Sequence, residues 1–72
     1  VRESTIRKYT DRAFIITQIR KAIYKLKLVE KEIKNDVIDL DMAYSYMFEA
    51  TGHIKNIFKS FRFLRLIAQK NI

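Results

Sequence analysis

Apolar residues recur along this chain at steps of three and four. Ile15, Ile19, Ala22, Leu26, Val29 and Ile33 mark one face of a helix; Ile16 and Ile23 widen it, and Ile6, Tyr9 and Ala13 carry it toward the N-terminus. Ser4 or Thr5 can cap its start. Its end is marked by Lys31, Lys34 and Asn35, the last a residue that tolerates left-handed dihedrals. Asp36 then serves as the next N-cap, with Asp39 near the positive end of the helix that follows. A second series, Leu40, Ala43, Met47, Ala50, Ile54, Ile57, Phe61, Leu64 and Ala68, keeps the same period. The pattern predicts two helices, over about 5–34 and 37–70, joined by a connection of a few residues.

Gly52 is the one glycine of the chain, which has no proline. Glycine is common just past a helix end and costs about 1 kcal/mol inside one. The second apolar series nevertheless crosses Gly52 in phase, and in that register Gly52 falls opposite the seam. Charge agrees. Residues 35–54 hold Asp36, Asp39, Asp41 and Glu49 and no Lys or Arg, and residues 55–72 hold Lys55, Lys59, Arg62, Arg65 and Lys70 and no acid. Acids at the start and bases at the end suit a single helix dipole. One helix through Gly52 is therefore expected, and a three-helix bundle broken at Gly52 is the alternative.

Two helices of about 30 residues, each about 45 Å long, joined by a tight turn make an antiparallel hairpin. A hairpin covers one side of each seam. Tyr44, Phe58 and Ile72 flank the seam on one side and Tyr46 and Ile67 on the other, while Phe48, Phe63 and Leu66 point further out. Exposed apolar patches of that size mark interaction surfaces. The expected fold is all-α: a hairpin that dimerises into a four-helix bundle. Tyr44, Phe48, Phe58, Phe61, Phe63 and Ile67 are the candidate interface with a second copy or another protein.

Length and composition point the same way. A chain of 72 residues forms one domain, residues 1–72, and hides only about 60% of its unfolded surface. With no cysteine to staple it and one histidine, association is the remaining way to strengthen a marginal core. At 49% apolar residues it can fold. Its longest apolar runs, such as Ala13-Phe14-Ile15-Ile16, fall far short of the roughly 20 residues a membrane span needs. Nothing in the opening VRESTIRKYT looks like a secretion signal, so a cytoplasmic protein is expected and a membrane is not an expected partner.

Net charge is +7, so an anionic partner has to be considered. In a hairpin, Lys25, Lys27, Lys31 and Lys34 lie beside the acidic start of the second helix. At the other end Arg2, Arg7, Lys8 and Arg12 come beside Lys59, Arg62, Arg65 and Lys70, with only Glu3 and Asp11 to offset them. That pole is the candidate for RNA or DNA, with Arg7, Lys8, Arg12, Lys59, Arg62 and Arg65 contacting phosphates by shape and backbone rather than base edges.

Candidates for chemistry are few. Glu49 and His53, at i and i+4, share a face and read as a surface ion pair. Asp36, Asp39 and Asp41 fit helix capping better than a metal loop, which would need a glycine and a terminal glutamate. Of the tyrosines, Tyr9 and Tyr44 sit at core-edge positions, Tyr46 flanks the seam, and Tyr24 among Arg20, Lys21, Lys25 and Lys27 is the better candidate for stacking on bases. No catalytic set, no metal, no cofactor and no small-molecule substrate is expected. The expected role is a non-enzymatic interaction or regulatory protein acting through protein contacts, with nucleic-acid binding as the rival.

ATGHIKN, residues 50–56, followed by Arg65, Ile67 and Ala68, resembles the second half of the small two-helix protein of the large ribosomal subunit, which implies ribosomal RNA binding. Leu40, Ala43, Glu49, Thr51 and Gly52 followed by IFKSF look like the helical tail of a tRNA-modifying GTPase. The first family's leucine-rich first helix does not match KEIKNDVIDLD, and the second family's terminal cysteine and GTPase domain are missing here. Both resemblances fall on the same stretch and imply different families, so no family is assigned.

Overall fold

The computed structural model describes residues 2–70; Val1, Asn71, Ile72 and the side chain of Lys70 lie outside the described residues, and with them the expected place of Ile72 beside the seam and of Lys70 in the basic pole. The described residues form three α-helices and no strand: α1 (Glu3–Thr10), α2 (Arg12–Ile33) and α3 (Leu40–Lys70). The all-helical expectation holds. The two-helix boundaries do not, because the expected first helix is two helices.

The break is at Asp11, whose backbone is extended at φ −68° and ψ 124°. Thr10 Oγ1 donates to the Ile6 carbonyl at 2.7 Å and closes α1. Asp11 then opens α2: its carbonyl accepts from Ile15 N at 3.1 Å and its carboxylate from Ala13 N at 3.2 Å. The turn folds α1 back onto both other helices. Tyr9 meets the Phe14 ring edge-on at 5.2 Å and Phe63 at 5.8 Å. Ala13, expected on the apolar face, is exposed. Neither Ser4 nor Thr5 caps α1; it starts at Glu3 after Arg2, whose carbonyl accepts from Thr5 N and Ile6 N.

Two expectations about the second connection are also corrected. Asp39, not Asp36, caps α3, accepting from Met42 N at 3.1 Å while its own N–H donates to Glu32 Oε1 at 2.9 Å. That bond ties the cap to the last turn of α2 and moves the helix start to Leu40. Asn35 does not take a left-handed conformation, since no described residue has positive φ.

α3 runs through Gly52 without interruption, as the phase of its apolar series predicts, and the alternative break at Gly52 is set aside. A Cβ built at Gly52 would meet nothing within 4 Å.

Where α2 meets α3, the most deeply buried side chains are mostly small or polar, Ile15 being the larger exception. Ile15, Gln18 and Ala22 are buried on α2, and Ala43, Ala50 and Ser60 on α3, Ala50 and Ser60 at 0% exposure. Lys25 faces Glu49, Gln18 faces His53 and Asn56, and Tyr9 of α1 faces Phe63, so the α2–α3 pairs run in opposite order and the two helices are antiparallel. Alanines let the backbones approach closely. The cost is that larger apolar side chains are pushed to the flanks. The result is long and thin, 54 × 17 × 17 Å, with a radius of gyration of 15.8 Å against about 11 Å for a compact chain of this length. No described helix is long and apolar enough to cross a membrane.

Candidate interaction surfaces

The flanks of the α2–α3 contact are built from a simple register. On α2 the inward line is Ile15, Gln18, Ala22, Lys25, Val29 and Glu32; on α3 it is Ala43, Tyr46, Ala50, His53, Ile57 and Ser60. One residue later the helix has turned by about 100°. Those next residues are Ile16, Ile19, Ile23, Leu26, Glu30 and Ile33 on α2, and Tyr44, Met47, Thr51, Ile54, Phe58 and Phe61 on α3, with Leu40 in the same line. Because the helices are antiparallel, the same rotation on each points to one side of the pair. That side is an apolar strip along the length of the molecule, with Leu40 72%, Tyr44 73% and Phe58 62% exposed.

One residue earlier, on the opposite side, stand Phe14, Thr17, Lys21, Tyr24, Leu28 and Lys31 of α2 and Met42, Ser45, Glu49, Gly52, Asn56 and Lys59 of α3, with Phe63 in the same line. At one end α1 covers this side through Tyr9, Phe14 and Phe63. Further along it is an open polar groove lined by Lys21, Tyr24, Lys25, Glu49, Gly52, His53 and Asn56. Lys25 Nζ lies 2.7 Å from Glu49 Oε2, with the lysine side chain 26% exposed. His53 Nδ1 and Asn56 Nδ2 both donate to the buried Gln18 Oε1, at 2.7 and 3.2 Å. This corrects the expected Glu49–His53 ion pair: each residue has a partner on α2 instead.

The hydrogen bond from Lys25 to Glu49, opposed by some desolvation, raises the ammonium's pKa above its usual 10.5. A cation whose pKa rises on folding stabilises the fold below its unfolded value and stops doing so as pH climbs through its folded one. The pair is therefore at full strength through neutral pH and weakens only above about 10.5.

Of the expected interface residues, Tyr44, Phe58 and Phe61 lie on the apolar strip. Phe48 and Ile67 are exposed on other faces of α3, and Phe63 is 9% exposed against Tyr9. Of the expected basic residues, Lys8 and Lys59 meet at the Tyr9 ring, where α1 packs on α3. Arg7 pairs with Glu3 at 2.9 Å; Lys8 Nζ sits 5.7 and 5.6 Å from the Tyr9 and Phe14 rings; Lys59 Nζ lies 4.6 Å above Tyr9. Lys55, Phe58, Lys59, Arg62, Phe63 and Leu66 line a groove on the outer flank of α3. Arg12 and Arg65 instead sit in the register of the apolar strip, at its basic end. Tyr24 is exposed beside Lys25, and Tyr44, expected at a core edge, is largely in solvent.

Sequence reading missed Gln18 and Ser60. Both hold inward positions, and the signal for them was a polar residue recurring at the period of the apolar ones. Comparison with protein-family models, with curated proteins and with solved structures finds no match to this chain.

Proposed function

We propose that this chain is a non-enzymatic helical interaction protein that works as a homodimer, two copies burying their α2–α3 strips against each other in a four-helix bundle. One quantity carries the reading. The chain exposes 6119 Å², whereas a folded monomer of 8.7 kDa exposes about 4,700 Å². The excess, about 1,400 Å² per copy, amounts to about 2,800 Å² for a symmetric pair, within the range of obligate homodimers. The strip supplies the apolar area for that burial.

Sedimentation equilibrium from micromolar to millimolar concentration tests it. A mass of two chains, falling toward one on dilution, is expected. A single-chain mass throughout sinks the reading.

A second reading is supported by the groove on the outer flank of α3, where Lys55, Lys59 and Arg62 border exposed Phe58 and Leu66 without an acid among the lining residues. Cations beside exposed aromatics suit the backbone and bases of a single-stranded nucleic acid. The measurement is fluorescence anisotropy of a labelled single-stranded RNA across a salt series. Arg62→Glu is expected to weaken binding and to lower the salt slope by about one. Binding that ignores the substitution removes the groove as its site.

A further inference from the structure

The proposed homodimer leaves open how the second copy lies, and the charges set into the apolar strip answer it. We infer that the two copies pack with opposite polarity, the acidic turn of one lying over the basic end of the other. The inference rests on the homodimer reading.

Two interruptions of the α2 strip have opposite sign. In the register Arg12, Ile16, Ile19, Ile23, Leu26, Glu30, Ile33, a base stands at one end and an acid near the other. Both are exposed and both are on the strip side. Two strips meeting face to face can be related by only two kinds of two-fold axis. An axis across the helices lays α2 over α2 and α3 over α3, each pair antiparallel. An axis along the helices lays α2 over α3, with like ends together.

In the crosswise arrangement the α2 pair is centred near Lys21. Arg12 of each copy then meets Glu30 of the other, Ile16 meets Leu26, and Ile19 meets Ile23. On α3, with its centre between Thr51 and Ile54, Tyr44 meets Phe61, and Arg65 reaches the acidic helix start at Asp39 and Asp41. In the lengthwise arrangement the level pairings are those already seen inside one copy, where Lys25 is beside Glu49. At those levels Arg12 would face Phe61, with Arg65 one turn beyond, and Glu30 would face Tyr44, so neither strip charge meets an opposite one and the like-charged ends of the two copies lie together.

The ends as a whole agree. Residues 55–70 hold five bases and no acid, and Arg2, Arg7, Lys8 and Arg12 join them against Glu3 and Asp11; residues 30–41 hold five acids, Glu30, Glu32, Asp36, Asp39 and Asp41, against Lys31 and Lys34. The lengthwise pair brings the two basic ends together. The crosswise pair sets each against an acidic turn.

The chain has no cysteine, so Asn35→Cys in the turn gives a single spin label per copy. Crosswise packing puts the turns at opposite ends of the bundle, with a label separation of about 40 Å or more from the helix rise. Lengthwise packing puts them side by side, below about 20 Å. A long distance supports the inference. A short distance in a two-chain particle overturns it and leaves the homodimer standing. A single-chain mass in the sedimentation experiment overturns both.

Charge exchange gives an independent arm. Arg12→Glu keeps a good residue at a helix start, and it and Glu30→Arg are each expected to loosen the dimer about tenfold, the double exchange restoring most of the loss. An Arg12→Glu chain that associates more tightly would point to the basic end of the second copy, at Arg65, as its neighbour, and the crosswise arrangement would fall.

Discussion

The two sides of the α2–α3 pair differ by a shift of two residues in register, and they are opposite in character. The side toward α1 is mostly polar: Thr17, Lys21, Tyr24 and Lys31 face Ser45, Glu49, Gly52, Asn56 and Lys59, with Leu28 and Met42 among them. The other carries Ile16, Ile19, Ile23, Leu26 and Ile33 beside Leu40, Tyr44, Met47, Ile54, Phe58 and Phe61. Between them runs a seam of one isoleucine, three alanines, a glutamine and a serine. The seam holds the helices close but buries little apolar area. Much of the hydrophobic payload stands on the far side, where Leu40, Tyr44, Phe58 and Phe61 keep more than half of their surface exposed among the described residues. A lone molecule would gain from polar residues there. The choice of isoleucine, leucine and phenylalanine makes sense when a second surface covers them.

The most severe way to break this comparison is a charge in the middle of the apolar side. Ile23→Asp buries an unpaired carboxylate in each copy of a dimer, at about 3 kcal/mol or more apiece. Sedimentation should then read one chain at concentrations where the parent reads two, and the melting temperature should lose its dependence on concentration. The control is Lys21→Asp on the polar side, expected to leave the mass unchanged. Equal effects from the two would erase the distinction between the sides.

A smaller effect is expected from crowding the seam. Ala50 has no exposed surface, and Ala50→Leu forces the helices apart at about 1–3 kcal/mol by overpacking. Denaturant melts at fixed protein concentration measure it. A stabilised variant would mean the alanine seam leaves room to spare, and close approach would no longer explain why large residues stand on the flanks.

The sequence makes some of this legible and hides the rest for a physical reason. Helical period and continuity through Gly52 could both be read, because each depends on spacing alone. The inward line could be read only in part: Ile15, Ala22, Val29, Ala43, Ala50 and Ile57 of the apolar series belong to it. Met47, Phe61 and Leu64 were placed in the seam by their steps of three and four, whereas Tyr46, His53 and Ser60 hold positions between the helices. Two apolar signals about 100° apart blend into one broad stripe when only hydrophobicity is counted. The break at Asp11 was masked for a related reason: Ile6, Tyr9 and Ala13 keep a helical step across it, with no glycine or proline to mark it. The adjacent pair Thr10 and Asp11, both suited to bonding helix ends through their side chains, was the available clue.

Ser60 gives a gain rather than a loss. Its Oγ is fully buried without a hydrogen-bond partner among the described residues. Ser60→Ala removes a desolvated hydroxyl and keeps the small volume, so a stabilisation of about 1 kcal/mol is expected in the same denaturant melts. A loss of that size would show that the hydroxyl has a partner in solution, a bound water or a carbonyl on α3.

The smallest expected change tests the polar side. Gly52 sits there in helical backbone, with open space where a side chain would begin. A methyl group costs nothing sterically and removes freedom from the unfolded chain, so Gly52→Ala should stabilise by about 0.5–1 kcal/mol, a few degrees in melting temperature. Oligomeric mass should not move, because the substitution faces away from the strip. If Gly52→Ala instead loosened the dimer or lowered the melting temperature, the groove over Gly52 would be closely occupied in the working protein. The polar side would then be a contact surface as well, and the contrast between the two sides would be one of chemistry and not of use.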